Sequence, residues 1–264
     1  MKKYRIAEDA KPQLWLLLFA TAVTILLWFL PFGEYIVYPV RLFVTFVHES
    51  SHALVSVLTG GSVQSLTIGA DGSGEVYSAN GLLGGLLTSS AGYLGATAFG
   101  VFMLFLIRKA ISPKKILMAL GIGVAAVTVI FTIISPIFNF LSLNASVSSI
   151  AFTAIAGTFL AAALFGLGKF LSVRYANFVV AFLAVQCVLN AVADLKNVFF
   201  ISAPLVGSDI HTDAANMAAA TGIPGFMWVV VWIGISLLMI SVGLRLYAVS
   251  RSQTSTDSLF EDGA

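Results

Sequence analysis

The chain of 264 residues is 59% hydrophobic and only 10% charged, with a net charge of +2. An ordinary soluble domain carries roughly 25% charged residues, and a water-facing exterior has no place for so much apolar surface. The composition therefore excludes a soluble domain, and basic residues confined to a few short clusters exclude a nucleic-acid surface; what remains is one membrane domain.

The first apolar run, Leu14 to Leu30, is uncharged, follows Lys2, Lys3, Arg5 and Lys11, and closes at Pro31 and Gly33. It is long for the apolar part of a signal peptide and no small-x-small site precedes Glu34, so it reads as a retained anchor. The second span, about Tyr35 to Leu58, carries Arg41, His48, Glu49 and His52 and ends at Gly60-Gly61. The stretch Ser62 to Ser78 then reads as two short strands around Asp71-Gly72-Ser73-Gly74, a hairpin within about residues 62–80.

A third span, about Leu82 to Ile107, is rich in small residues that let helices approach closely in lipid, among them Gly84, Ala91, Gly92, Gly95 and Gly100. Arg108, Lys109, Lys114 and Lys115 make a basic turn. The uncharged stretch Ile116 to Gly168 is too long for one helix, and Pro136, Asn139, Ser142, Asn144 and Ser146 divide it into spans four and five. Span six, about Tyr175 to Ser202, contains Asn190, Asp194 and Lys196, and a loop with Asp209, His211 and Asp213 leads to Pro224. Span seven is about Phe226 to Val249. The expected fold is all-α and polytopic, about seven transmembrane helices with one short β-hairpin after the second. Residues 1–250 form the single transmembrane domain and 251–264 a disordered polar tail. Cys187, the one cysteine, reads as a small buried hydrophobe. The basic N-terminus and the basic turns after spans three and five point to opposite orientations, so the direction of insertion stays open.

The chemistry lies in His48-Glu49-Ser50-Ser51-His52. Residues four apart share a helix face, so both imidazoles can address one metal ion while Glu49 sits beside it as a general base. Zinc suits such a set completed by a carboxylate, and ionisable groups inside a span are costly and usually functional. No further His follows at the spacing of the extended soluble zinc-protease motif.

A His-Glu-x-x-His helix inside a span, a Gly-flanked hairpin and a small-residue span together resemble the site-2 protease family of intramembrane zinc metallopeptidases. The chain is similar in particular to a short bacterial and plant-type branch without extra domains. The matching stretches are His48 to Leu54 through Thr59-Gly60-Gly61, Ala70 to Gly74, Ser90 to Gly95, Val192 to Leu195, and Thr212-Asp213-Ala214 to Pro224 with Trp228. The resemblance implies a metallopeptidase-like domain in a bacterial cell membrane, with Zn2+ as cofactor. It implies hydrolysis of membrane-protein or peptide substrates within or near the bilayer. The family's third ligand is usually the Asp of a Leu-Asp-Gly motif, which this sequence lacks.

Two carboxylates compete for that place. Asp194 matches the motif helix in depth and direction, with Asn190 one turn before it as a supporting hydrogen-bonding group, and is preferred. Asp213 is the alternative, against a reading in which Thr212 or Asp213 caps a short helix through Met217. The rival functions are a non-catalytic metal-binding membrane protein that escorts clients, and a transporter whose polar residues line an ion path.

Overall fold

The computed structural model describes residues 11–140, 144–202 and 212–248. The expected tail, 251–264, and His211 lie outside the described residues. Helices α1 (Lys11–Phe29) and α2 (Gly33–Leu58) are followed by strands β1 (Ser62–Ile68) and β2 (Gly74–Ala79) and then α3 (Leu82–Arg108). Next come α4 (Pro113–Val127), a π-helical segment Thr128–Ile134 and the short α5 (Ser135–Phe138), then α6 (Val147–Phe170) and α7 (Val173–Ser202). The short α8 (Asp213–Thr221) precedes α9 (Gly225–Ala248).

The breaks follow local chemistry. Pro31 and a left-handed Phe32 (φ 66°) separate α1 from α2. Pro113 opens α4, where a missing N–H costs nothing. Ser146 caps α6 by accepting from Ser149 N at 3.1 Å, and Gly222 (φ 72°) ends α8. Span four is not a plain helix: its second half winds as the π-helical segment before Pro136, a feature with no signature in the sequence.

Among the described residues, five helices are long and apolar enough to cross a bilayer: Leu82–Arg108, Pro113–Phe138, Val147–Phe170, Val173–Ser202 and Gly225–Tyr247. Their outward faces expose large apolar side chains such as Phe102, Ile155, Phe159 and Leu238. The apolar stretch of α1, Trp15–Leu27, is shorter, and α2 carries Glu34, Arg41 and Glu49.

Helix α3 is central, packed against α2, α7 and α9. At Gly100 an added methyl group would come within 2.8 Å of the Ala184 carbonyl, so the glycine sets the close approach of α3 to α7. Helices α4 and α6 form a second layer that reaches the hairpin through β1.

The hairpin is a two-stranded antiparallel sheet that pairs Leu66 with Val76 and Ile68 with Gly74, with a register shift between Val63 and Ser65. Its turn is shaped by Gly72 (φ 82°) and by Asp71, whose Oδ1 accepts from Ser73 N at 3.0 Å and from Ser73 Oγ at 2.6 Å. Those bonds from Ser73 hold the Asp71 carboxyl below its usual range. Along α2 the hairpin is tied down in order: Tyr38 Oη donates to Ala70 O at 2.7 Å, Thr45 Oγ1 to Gly72 O at 3.0 Å, and Ser56 Oγ to Asn80 Oδ1 at 2.8 Å.

Candidate metal centre

His48, Glu49 and His52 lie in the middle of α2, where Glu49 and His52 are buried. One helical turn separates the imidazoles, and their ring centroids are 4.8 Å apart. Nδ1 of His52 donates to the Thr88 carbonyl of α3 at 2.6 Å. That bond fixes the tautomer and leaves the Nε2 lone pair free to face a metal. His48 is held by the edge of Tyr93, 4.7 Å between centroids at 79°. Tyr93 packs in turn on Trp232 of α9, whose Nε1 donates to Ser90 Oγ at 3.1 Å.

The carboxylate that meets these rings comes from α8. Asp213 Oδ2 lies 3.3 Å from His52 Nε2 and 3.6 Å from His48 Nε2. Thr212 caps the helix, its hydroxyl accepting from Ala215 N at 3.1 Å, which leaves the Asp213 carboxylate to the imidazoles. Burial works to raise the Asp213 carboxyl, but the neighbouring imidazoles, His52 foremost, hold it well below the usual carboxylate range. One ligand atom each from His48, His52 and Asp213 fall within 4.8 Å of one another, a spacing that suits a shared divalent cation. Two imidazoles and a carboxylate are also the donor set that zinc takes in hydrolytic sites.

Two glycines make room for the group. A methyl group on Gly92 of α3 would collide with Nε2 of both histidines, and one on Gly74 of β2 would collide with the Glu49 carboxylate. In the sequence Gly92 reads as a helix-packing residue and Gly74 as part of the turn; both stand in stretches that carry the family resemblance, but neither reads as making room for the site. Tyr93 was within reach of the sequence, since it stands in the Ser90 to Gly95 stretch on which the family resemblance rests.

The preferred third ligand, Asp194, is not brought to the imidazoles. Among the described residues the metal-spaced group consists of His48, His52 and Asp213. Asp194 instead lines a cavity of about 290 Å³ beside His48 and Glu49, together with Arg41, Asn190 and Asn197. Equal depth therefore placed Asp194 beside the site, while the short α8 supplies the nearer carboxylate. Asn190 lines the same cavity, while its Nδ2 donates to the Gln186 backbone carbonyl at 2.9 Å and to Gln186 Oε1 at 3.1 Å. A larger apolar groove, about 550 Å³ between α2, α3 and α4, is lined by Phe43, Phe46 and Ser50 and by neither histidine of the pair.

A family model described as Peptidase M50B-like matches residues 17–243. The chain belongs to this family of site-2 protease-type intramembrane metallopeptidases. No curated protein and no solved structure matches the chain at a significant level. Membership, together with the five apolar helices, makes the protein a multi-pass integral membrane protein. For an M50B-like chain, a His, His and Asp cluster drawn from α2 and α8 is where a metal site is expected.

Proposed function

We propose that this M50B-like protein is a zinc-dependent endopeptidase that cuts membrane-protein substrates, with His48, His52 and Asp213 holding the ion. In this reading α1 and α2 complete a bundle of seven spans. The observation that carries the reading is the convergence of two Nε2 atoms and one carboxylate oxygen, with the His52 tautomer fixed from behind by Thr88. A zinc ion held by His48, His52 and Asp213 would supply Lewis acidity, the chemistry that lowers the pKa of water to about 7 and polarises a carbonyl.

Glu49 is the general base. Its carboxylate takes a proton from the water that attacks the scissile carbonyl carbon. As the C–N bond breaks, it passes that proton to the departing amide nitrogen, so the carboxylate ends the cycle as it began. Asp194, Asn190 and Arg41 keep the adjoining cavity polar enough to admit water. A helical peptide bond is shielded from attack, so the substrate must be extended at the cut. The hairpin provides an edge for such a strand: β1 is largely buried while β2 is more exposed.

The test is Glu49→Gln in the purified full-length protein. Cleavage should fall by about 10²–10⁴-fold, the range for loss of a general base, with bound zinc unchanged. A variant that cleaves at the wild-type rate refutes the assignment, and wild-type protein lacking stoichiometric zinc favours the transporter reading.

A further inference from the structure

Among the described residues, no third strand covers the outer edge of β1, the inner strand of the hairpin. Unpaired backbone groups at a buried edge are costly, and more so inside a membrane. Leu66 and Ile68 of β1 are fully buried. The bond from Gly69 N to Ser73 O, 2.8 Å, fixes the phase of the ladder. By antiparallel alternation Thr67 then pairs toward Glu75, whereas the backbone groups of Leu66 and Ile68 face away from β2.

Two threonines meet them. Thr132 Oγ1, in the π-helical segment, donates to Leu66 O at 2.8 Å. Ile68 N donates to Thr153 Oγ1 of α6 at 2.6 Å. The Thr153 hydroxyl proton is directed to the carbonyls of Ser149, 2.6 Å, and Ile68, 3.2 Å. Both threonines are completely buried, and π-helical turns recur at functional sites.

The same alternation turns the backbone groups of Val76 and Gly74, the partners of Leu66 and Ile68, toward the outer edge of β2. Gly74 is the residue packed on the Glu49 carboxylate. The height at which β1 is clamped therefore decides where a strand added to β2 passes the general base.

We propose that Thr132 and Thr153 are positioning residues that replace a third strand on β1 and so fix the register at which substrate is cut. This rests on the hairpin being the substrate-binding edge of the proposed peptidase. The experiment uses the full chain in detergent with Thr132→Val, Thr153→Val, the double variant and the two Thr→Ser controls. The probe is a synthetic Leu-rich transmembrane peptide interrupted by Asn-Gly, with products read by mass spectrometry and hairpin amides followed by hydrogen exchange.

In Thr153→Val the Ile68 amide should exchange about tenfold faster, the loss expected for one hydrogen bond. In the double variant the single wild-type product should become a mixture cut at neighbouring bonds, with bound zinc unchanged. Ser at either position should restore the single product. A merely structural role would lower the yield of active protein without moving the cut. A folded, zinc-loaded double variant with wild-type exchange and the wild-type product overturns the proposal. Faster exchange with an unmoved cut overturns it as well. If wild-type protein leaves the peptide intact, it is the peptidase reading that fails for this probe. The clamp then stands or falls on Ile68 exchange alone, and unchanged exchange overturns it.

Discussion

Exchanging Asp213 for Asn removes one charge from the metal centre and little else. The side chain keeps its shape, and the α8 cap stays because it belongs to Thr212. What is lost is the negative oxygen placed 3.3 Å and 3.6 Å from the two Nε2 atoms. Changes to groups that only support a metal ligand already weaken binding by about 10–100-fold. Loss of a charged ligand should exceed that, weakening zinc at least about 100-fold, or about 2.7 kcal/mol. Asp194→Asn, which alters only the adjoining cavity, should change zinc affinity by less than about tenfold. The assay is competition between detergent-solubilised protein and a chelator, with bound zinc measured by mass spectrometry and helix content by circular dichroism. If Asp194→Asn loses its zinc while Asp213→Asn keeps it, the ligand assignment is wrong.

Gly92→Ala should abolish zinc binding, because its methyl group collides with both imidazoles, while Gly85→Ala on the same helix meets nothing within 4 Å and should keep its zinc. In Gly85→Ala the helix should gain up to about 0.8–1.0 kcal/mol, read as an unchanged or higher melting temperature. Gly74→Ala should retain zinc yet lose cleavage, by up to the about 10²–10⁴-fold that a general base contributes, since the methyl displaces Glu49; steady-state kinetics beside zinc analysis separates the two effects. Gln186→Leu breaks the buried bond from Gln186 Nε2 to Thr24 Oγ1, 2.6 Å, that ties α1 to α7. It should cost about 1–3 kcal/mol, and an unaltered thermal unfolding curve would show that the tie contributes nothing.

The sequence disclosed what periodicity and motif spacing control. The span limits follow from apolar length and from Pro and Gly at the breaks, so the predicted Leu82 to Ile107 and the observed Leu82–Arg108 nearly coincide. His48 and His52 had to share a face once α2 was helical. The hairpin was legible from Asp71-Gly72-Ser73-Gly74 because that turn chemistry is local. Which carboxylate lies nearest the imidazoles depends instead on how α8 sits against α3 and α9, a tertiary matter that depth arithmetic along α7 does not capture. Gly92 and Gly74 were hidden for the same reason: a glycine in a small-residue helix and a glycine in a turn each have a sufficient local explanation. Thr132 and Thr153 gave no signal at all, since a threonine in a span ordinarily bonds back to its own helix.

The polar residues of the motif helix form a continuous stripe. Tyr38, Arg41, Thr45, His48, Glu49, His52 and Ser56 recur at intervals that keep to one side of α2. Facing hydrocarbon, such a stripe would be prohibitive. The hairpin lies along it in matching order, its turn meeting Tyr38 and Thr45, Gly74 covering Glu49, and Asn80 meeting Ser56. The Thr88 carbonyl of α3 and the Asp213 carboxylate of α8 then take the two imidazoles. The segment that shields the polar stripe thus also packs, through Gly74 of β2, on the Glu49 carboxylate. A one-residue slip of the hairpin along α2 would break the shield and misplace the edge together. Under the proposed function, shielding and substrate alignment would be set by the same contacts, and a lesion in one should not be separable from a lesion in the other.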